Sequence, residues 1–316
     1  MLRDSPSRSV TVCFDMQQNQ PLPRISIGEA FYSRQVWLYN LLIMNHTPGK
    51  QNKEDIAMYT WTEAEAGKGS NEVVSGLLHF LTELQEKVVT ERNPPTILRL
   101  FSDSCSGQNK NRTMIAALLS FLQRSKVFHT IYHIFPIRGH SYLPPDQVFG
   151  RVEKNFRQME EILTPNQYHD IMKKHGRVFV FGEDWEVKDY AAASKDVLKK
   201  TMPFPMRSSR VHIYRKKRFR CRFHFQETYT GDEIEAMVLK PDKHSASSMT
   251  KALVIPKTSH ITVAKRNDVR KLIKYCTIPD SAKKFYDDVF RVEDGKDDER
   301  DEDVPVLVYE DVEPFE

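Results

Sequence analysis

Three acidic residues far apart in the chain, Asp15, Asp103 and Asp146, have the type and setting that divalent-metal chemistry on phosphates requires. Asp15 closes a short β-branched and apolar run (residues 9–15), and Asp103 closes a second one (96–102). Asp146 follows Pro144-Pro145 at the start of a helical stretch. Mg²⁺ demands near-octahedral oxygen coordination at about 2.0–2.1 Å and keeps several waters. Sites with two metals about 3.5–4 Å apart activate the attacking oxygen and stabilise the leaving one. Carboxylates separated by 88 and then 43 residues can share such ions only if the fold gathers them at neighbouring strand ends. Each has a structural alternative. A strand-end carboxylate can start a turn, and Asp146 can cap its helix, where the dipole favours negative charge. Glu153, seven residues on, lies on the same helix face as Asp146 and is the other candidate for the third acid.

The loop between Asp103 and Asn111, Asp-Ser-Cys-Ser-Gly-Gln-Asn-Lys-Asn, is small and amide-rich. It could present backbone N–H groups to a phosphate, with Asn109, Lys110 and Arg112 adding contacts. It could equally cap the following helix. The Walker A glycine pattern is missing. His140, in a Gly-His-Ser turn six residues before Asp146, is placed to shuttle a proton or touch a phosphate; a structural turn histidine is the alternative. Further on, residues 210–222 hold seven basic residues and no acid, with Tyr214 and Phe219 interleaved. Basic groups neutralise phosphates and aromatics stack on bases. Arg215, Lys216, Lys217, Arg218 and Arg220 are therefore candidate DNA contacts, against the alternative of a solvated strand face.

These residues need elements to position them. Strands are predicted at 9–15, within 31–45 (after a helical turn), at 56–61, 96–102 and 128–137. Helices are predicted from Ser70 to about Thr90, over 112–123, and from Asp146 onward. In the helix at 112–123, Met114, Ile115, Leu118, Leu119 and Leu122 fall on one side. The order strand, strand, strand, helix, strand, helix, strand, helix predicts a mixed five-stranded sheet flanked by helices. In that arrangement the first strand lies beside the fourth, which would make Asp15 and Asp103 neighbours. Beyond residue 178 the pattern suggests a short strand at 178–181 and a helix over 184–198. A break follows at Met202-Pro203-Phe204-Pro205, and then a smaller α+β region. There, strands are expected over 211–225, 253–255 and 262–263, and helices over 268–276 and 279–289. The expected organisation is a domain over 8–200, a basic region over 206–290, and an acidic tail over 291–316 read as disordered.

Composition sets the outer limits. The chain has 316 residues, 40% of them hydrophobic, as in an ordinary globular protein. No window approaches the roughly 18 consecutive apolar residues of a membrane span, and no apolar signal core follows the charged N-terminus. No membrane association and a nuclear or cytoplasmic location are expected. The four cysteines are far apart without a Cys-x-x-Cys pair, which argues against a zinc ribbon and against a disulfide framework. The net charge of +4 hides an asymmetry. Residues 293–316 hold 12 acidic and 2 basic residues, so they carry −10 and the rest of the chain +14. A basic body suits a polyanionic partner. The sequence is compatible with a homo-oligomer and shows no small-molecule cofactor motif.

Asp15 in its strand, the Ser-Asp-Ser-Cys-Ser-Gly-Gln-Asn-Lys-Asn stretch at 102–111, and Gly139-His140-Ser141 leading to Asp146 and Gly150-Arg151-Val152-Glu153-Lys154 carry a resemblance. Over roughly residues 8–180 the chain resembles an uncharacterised transposon-associated family with a ribonuclease H-like core, similar in layout to DDE/D transposases. The resemblance implies a ribonuclease H-like fold and DNA as partner. It implies Mg²⁺ or Mn²⁺ held by Asp15 as first acid, Asp103 as second, and Asp146 or Glu153 as third. Metal-dependent DNA cleavage or strand transfer would follow, or a derivative that has lost catalysis and binds DNA or protein. The sequence departs from the relatives it resembles: no acid occupies the second strand, Asp15 starts no Asp-x-Glu, and no Cys/His cluster precedes the first strand. A fragment or a remnant that no longer transposes would account for the last difference.

Overall fold

The computed structural model describes residues 9–50, 52–137, 142–218, 220–257 and 261–291. His140, Phe219 and residues 292–316 of the acidic tail lie outside them. The elements run β1 (Ser9–Met16), β2 (Gln20–Leu22), β3 (Arg24–Ile25), α1 (Gly28–Tyr32), β4 (Val36–Asn45), β5 (Ile56–Thr62), α2 (Ser70–Val88), β6 (Ile97–Phe101), α3 (Arg112–Arg124) and β7 (Thr130–Ile134). They continue with α4 (Pro144–Phe156), β8 (Glu161–Ile162), α5 (Pro165–Met172), β9 (Arg177–Val180), α6 (Tyr190–Val197), β10 (Val211–Lys216), β11 (Cys221–Gln226), β12 (Ile234–Glu235), α7 (Val263–Leu272) and α8 (Asp280–Phe290).

The chain is an α/β protein built on one large mixed sheet. Its order is β12-β11-β10-β7-β6-β1-β4-β5-β9, with β2 also paired to β4, so ten strands take part. β1, β4 and β5 are antiparallel neighbours, whereas β1, β6 and β7 are parallel. β3 and β8 form a separate two-stranded ribbon. β4 and β5 are buried almost throughout, as near-continuous apolar strands covered on both faces must be. Val10, Val12 and Phe14 of β1 pack on one face with α2, α3 and α6. Cys13, Leu42 and Met58 pack on the other with α4, α5, α7 and α8. Each large apolar side chain so buried contributes roughly 1.5–3 kcal/mol.

Four expectations change. The five strands become the middle of a sheet twice as large. The break at 202–205 does not separate two sheets, because β10 pairs with β7 along its length. The residues beyond it also bury the second side of α3, which is covered from Thr113 to Leu122; helices apolar on all sides are buried ones. The expected helix over 184–198 shrinks to α6. Asp184 instead closes a turn by accepting from the Val180 N–H at 2.8 Å, and Gly182 in that turn has φ +78°. Of the strands expected at 253–255 and 262–263, Val254 makes an isolated bridge to Lys188, and Thr262 caps α7.

Candidate functional site

β1 and β6 run parallel with a fixed register, from Ser9 opposite Ile97 to Cys13 opposite Phe101. That offset is 88 residues, the spacing of the two aspartates. Carried two residues further, it sets Asp15 opposite Asp103 at the same end of the sheet. Side chains alternate along a strand, so Asp15 shares the face of Cys13, the face on which α4 packs.

The surroundings of Asp15 are electrostatically unfavourable for a carboxylate. Its pKa is pushed up to about 7, first by burial, then by Asp103, and less by Asp146. The Met16 N–H, donating to Oδ1 at 2.8 Å, and the Lys68 ammonium act in the opposite direction. The structure therefore brings Asp15, Asp103 and Asp146 into one field. Asp103 is oriented by its own loop: the Cys105 N–H donates to Oδ1 at 3.1 Å, and the Asn109 side-chain amide donates to the same oxygen. Asp146, the third residue of α4, accepts from the Leu143 N–H at 2.7 Å. The capping role weighed for it is thus present. Among the described residues, each of the three carboxylates uses a single oxygen in hydrogen bonds. No group of three or more His, Cys, Asp or Glu side chains among the described residues lies close enough, as placed, to hold a metal ion.

Glu153 is engaged differently. Its Oε1 accepts from the side-chain amides of Gln17 at 2.9 Å and Gln20 at 2.6 Å, and Gln17 in turn accepts from Asn40 at 2.8 Å. This amide network occupies the chain just beyond Asp15. Sequence reasoning missed it, and missed Lys68. The Lys68 ammonium donates to Asn19 at 2.6 Å, lies 5.5 Å from the Tyr39 ring centre, and feels the charges of Cys105 and Asp15. Burial lowers its pKa. A lysine between two glycines at a helix start, Gly67-Lys68-Gly69, was the available signal.

The loop at 103–111 is a capping loop. The N–H groups of Gln108, Asn109 and Lys110 all donate to the Cys105 carbonyl, and Asn111 caps α3 through the Met114 N–H at 3.0 Å. Those amides are consumed within the loop rather than presented to an anion. Lys110 is also corrected. It is buried, donating to the carbonyls of Arg207 at 3.0 Å and Ser209, with the Phe135 ring centre 4.7 Å away. Beside it, Ser102, the residue before Asp103, bonds His133 Nε2 at 2.8 Å. Burial pushes the His133 pKa down to about 3, with Lys110 adding to the effect. Arg112 donates to the Leu198 carbonyl at 3.3 Å.

The basic segment lies elsewhere. β10 runs antiparallel to β7, with Val211 opposite Ile134 and Arg215 opposite Thr130. Ile134 is at the carboxylate end, so the β10–β11 turn is at the opposite end of the sheet. Arg215 is paired with both oxygens of Glu233 at 2.7 and 2.6 Å, and Arg222 with Glu235 at 2.9 Å. The Lys216 ammonium donates to the Ser125 carbonyl at 2.5 Å. Lys217, Arg218 and Arg220 are exposed at the turn. A cavity of about 400 Å³, lined by Val10, Phe80, Leu84, Lys87 and Arg177 among others, also lies at that far end. All four cysteines are free. No described helix is long and apolar enough to cross a membrane.

Fold and site together define an α/β protein whose large mixed sheet collects carboxylates at one end. The chain belongs to the family described as Domain of unknown function (DUF7869), which matches residues 43–229, more than half of its length. The match contains Lys68, Asp103, Asp146 and the β10–β11 hairpin, while Asp15 precedes it. No curated protein matches the sequence.

Proposed function

We propose that this chain is a transposon-derived protein with a ribonuclease H-like core, which uses Asp15, Asp103 and Asp146 with Mg²⁺ or Mn²⁺ for cleavage or strand transfer of DNA phosphodiesters. The observation that carries this is the setting of Asp15, where burial first, then the charge of Asp103 and less that of Asp146, push its pKa up to about 7. Clustered carboxylates that destabilise one another's charge are what a bound cation would relieve. The strand order β5-β4-β1-β6-β7, with its antiparallel and parallel halves, supports the fold assignment. The donor set suits the ion: hard carboxylate oxygens, one of each outside the hydrogen bonds made among the described residues, with water completing the shell.

A bound divalent ion would supply Lewis-acid stabilisation of charge on the attacking and leaving oxygens. The chain's own residues do the rest. Asn109 and the Cys105 N–H hold Asp103 in orientation. The Leu143 N–H holds Asp146. Lys68 is a cation at the same site that can pair with a substrate phosphate once the carboxylates are otherwise neutralised.

A second reading is a transposase-derived module that is catalytically inactive and binds DNA or protein. It draws on the lack, among the described residues, of a preassembled three-ligand group. Calorimetric titration of Mn²⁺ into the wild type and Asp103→Asn separates the two. Saturable binding lost in the variant, with cleavage of plasmid DNA lost in parallel, is expected. Absence of binding by the wild type would sink the catalytic reading.

A further inference from the structure

We propose that the sheet end opposite the carboxylates is an anchoring surface for the phosphate backbone of duplex DNA, formed jointly by the β10–β11 turn and the α3–β7 turn. The inference shares DNA as partner with the proposed function but needs none of its metal chemistry.

The two turns are fastened to each other. The Lys216 N–H donates to the His129 carbonyl at 2.8 Å, and the Lys216 ammonium donates to the Ser125 carbonyl at 2.5 Å. The Lys217 N–H donates to the Arg220 carbonyl at 2.9 Å, which closes the hairpin tightly. Lys126 on one turn, and Lys217 and Arg220 on the other, are exposed. Neither turn contains an acid: residues 124–130 and 211–226 hold no Asp or Glu. The two glutamates nearby, Glu233 and Glu235, are engaged by Arg215 and Arg222 on the hairpin stem. The stem is thus neutralised, whereas among the described residues no acid is paired with Lys126, Lys217 or Arg220.

Duplex DNA carries one negative charge per about 1.7 Å of axis, dense enough for cations on adjoining turns each to meet a phosphate. From the carboxylate end to this tip is roughly six residues of strand, or about 20 Å at about 3.3 Å per residue. DNA held here would therefore offer the carboxylates a stretch about six base pairs away, at about 3.4 Å per pair. The hairpin is an anchor rather than part of the reacting site.

The test is fluorescence anisotropy of the full chain with a duplex several helical turns long, across a salt series in EDTA. Lys126→Gln/Lys217→Gln/Arg220→Gln is expected to bind at least about tenfold more weakly. Its log K against log salt slope should be shallower by about 2.7, at about 0.9 per phosphate contact. The control Lys173→Gln/Lys174→Gln/Lys283→Gln removes the same charge from exposed positions just after α5 and on α8 and should leave the slope unchanged. Equal losses in both triples, an unchanged slope in the first, or no binding by the wild type would each overturn the proposal. Binding is read in EDTA, without the metal, so failure of the metal reading leaves this one standing.

Discussion

At one end of the sheet the charges acting on Asp15 are two carboxylates against one ammonium; at the other, the two stem arginines of the β10–β11 hairpin each have a glutamate. Both ends are charged, but only the hairpin stem balances its charge locally. A pair such as Arg215–Glu233 explains itself, because each ion satisfies the other's hydrogen bonds and no outside partner is required. Among the described residues, Asp15 has no such partner of opposite sign bonded to it. It persists at a cost that packing elsewhere must offset, and uncompensated charge of that kind marks functional sites more often than structural ones.

At the carboxylate end, the loop that orients Asp103 is fastened to the start of the strand that runs to the other end. Asn109 fixes Asp103, and the next residue, Lys110, reaches the chain entering β10. Lys110→Ala leaves two carbonyls and a space inside the protein, and should cost about 3 kcal/mol. Urea unfolding reads the loss. A cost below about 1 kcal/mol, the level of a surface ion pair, would show that Lys110 does not fasten this loop to β10.

The carboxylate imbalance itself predicts the next largest effect. The folded-state pKa of Asp15, about 7, lies above its ordinary 3.8. The folded protein thus binds this proton more tightly than the unfolded chain does. The stability so gained is present at low pH and is lost as pH rises through 7. In EDTA, Asp15→Asn should therefore stabilise the protein at pH 8 by roughly 2 kcal/mol, and much less at pH 5, where Asp15 is already neutral. The groups facing Asp15, namely Asp103, Asp146 and Lys68, are unchanged in this variant, so the difference isolates Asp15. Melting curves at the two pH values suffice. Equal shifts at both would mean that neither burial nor the neighbouring charges raise the Asp15 pKa.

The legibility of the two ends differs for a physical reason. Asp15 and Asp103 could be paired from sequence because each ends an apolar strand run. The helical segments between the strands also restrict the sheet to few topologies. The burial of Lys110 could not be foreseen, since it depends on carbonyls at 207 and 209, nearly a hundred residues away. The extension of the sheet by β10 was hidden for the same reason: its alternating apolar and basic residues suit an edge strand of any sheet, and nothing local says which. In the stretch after β9, Gly182 and the Asp184 turn overrode a helical pattern, and the helix waits for the Asp189 cap, whose Oδ1 accepts from the Ala192 N–H at 2.9 Å. The choice between Asp146 and Glu153 was likewise closed to sequence, because both lie on one helix face. What distinguishes them is position along that face. Asp146 acts on Asp15, whereas Glu153 meets Gln17 and Gln20.

That distinction can be measured. Asp146→Asn should weaken Mn²⁺ binding about tenfold, equivalent to about 1.4 kcal/mol, while Glu153→Gln should leave it nearly unchanged. The reverse ranking, read by calorimetry, would move the third acid to Glu153.

The smallest effect is expected at the hairpin stem, where the comparison can be inverted by design. Glu233→Gln/Glu235→Gln frees Arg215 and Arg222. Because these pairs are about one-third exposed, the stability lost should be only about 0.5–1 kcal/mol. Affinity for duplex DNA should nonetheless rise, with a steeper salt dependence, because two more cations become available beside the tip. If removing the glutamates leaves the slope as it was, the stem arginines face away from the bound backbone and the anchor is confined to the turn.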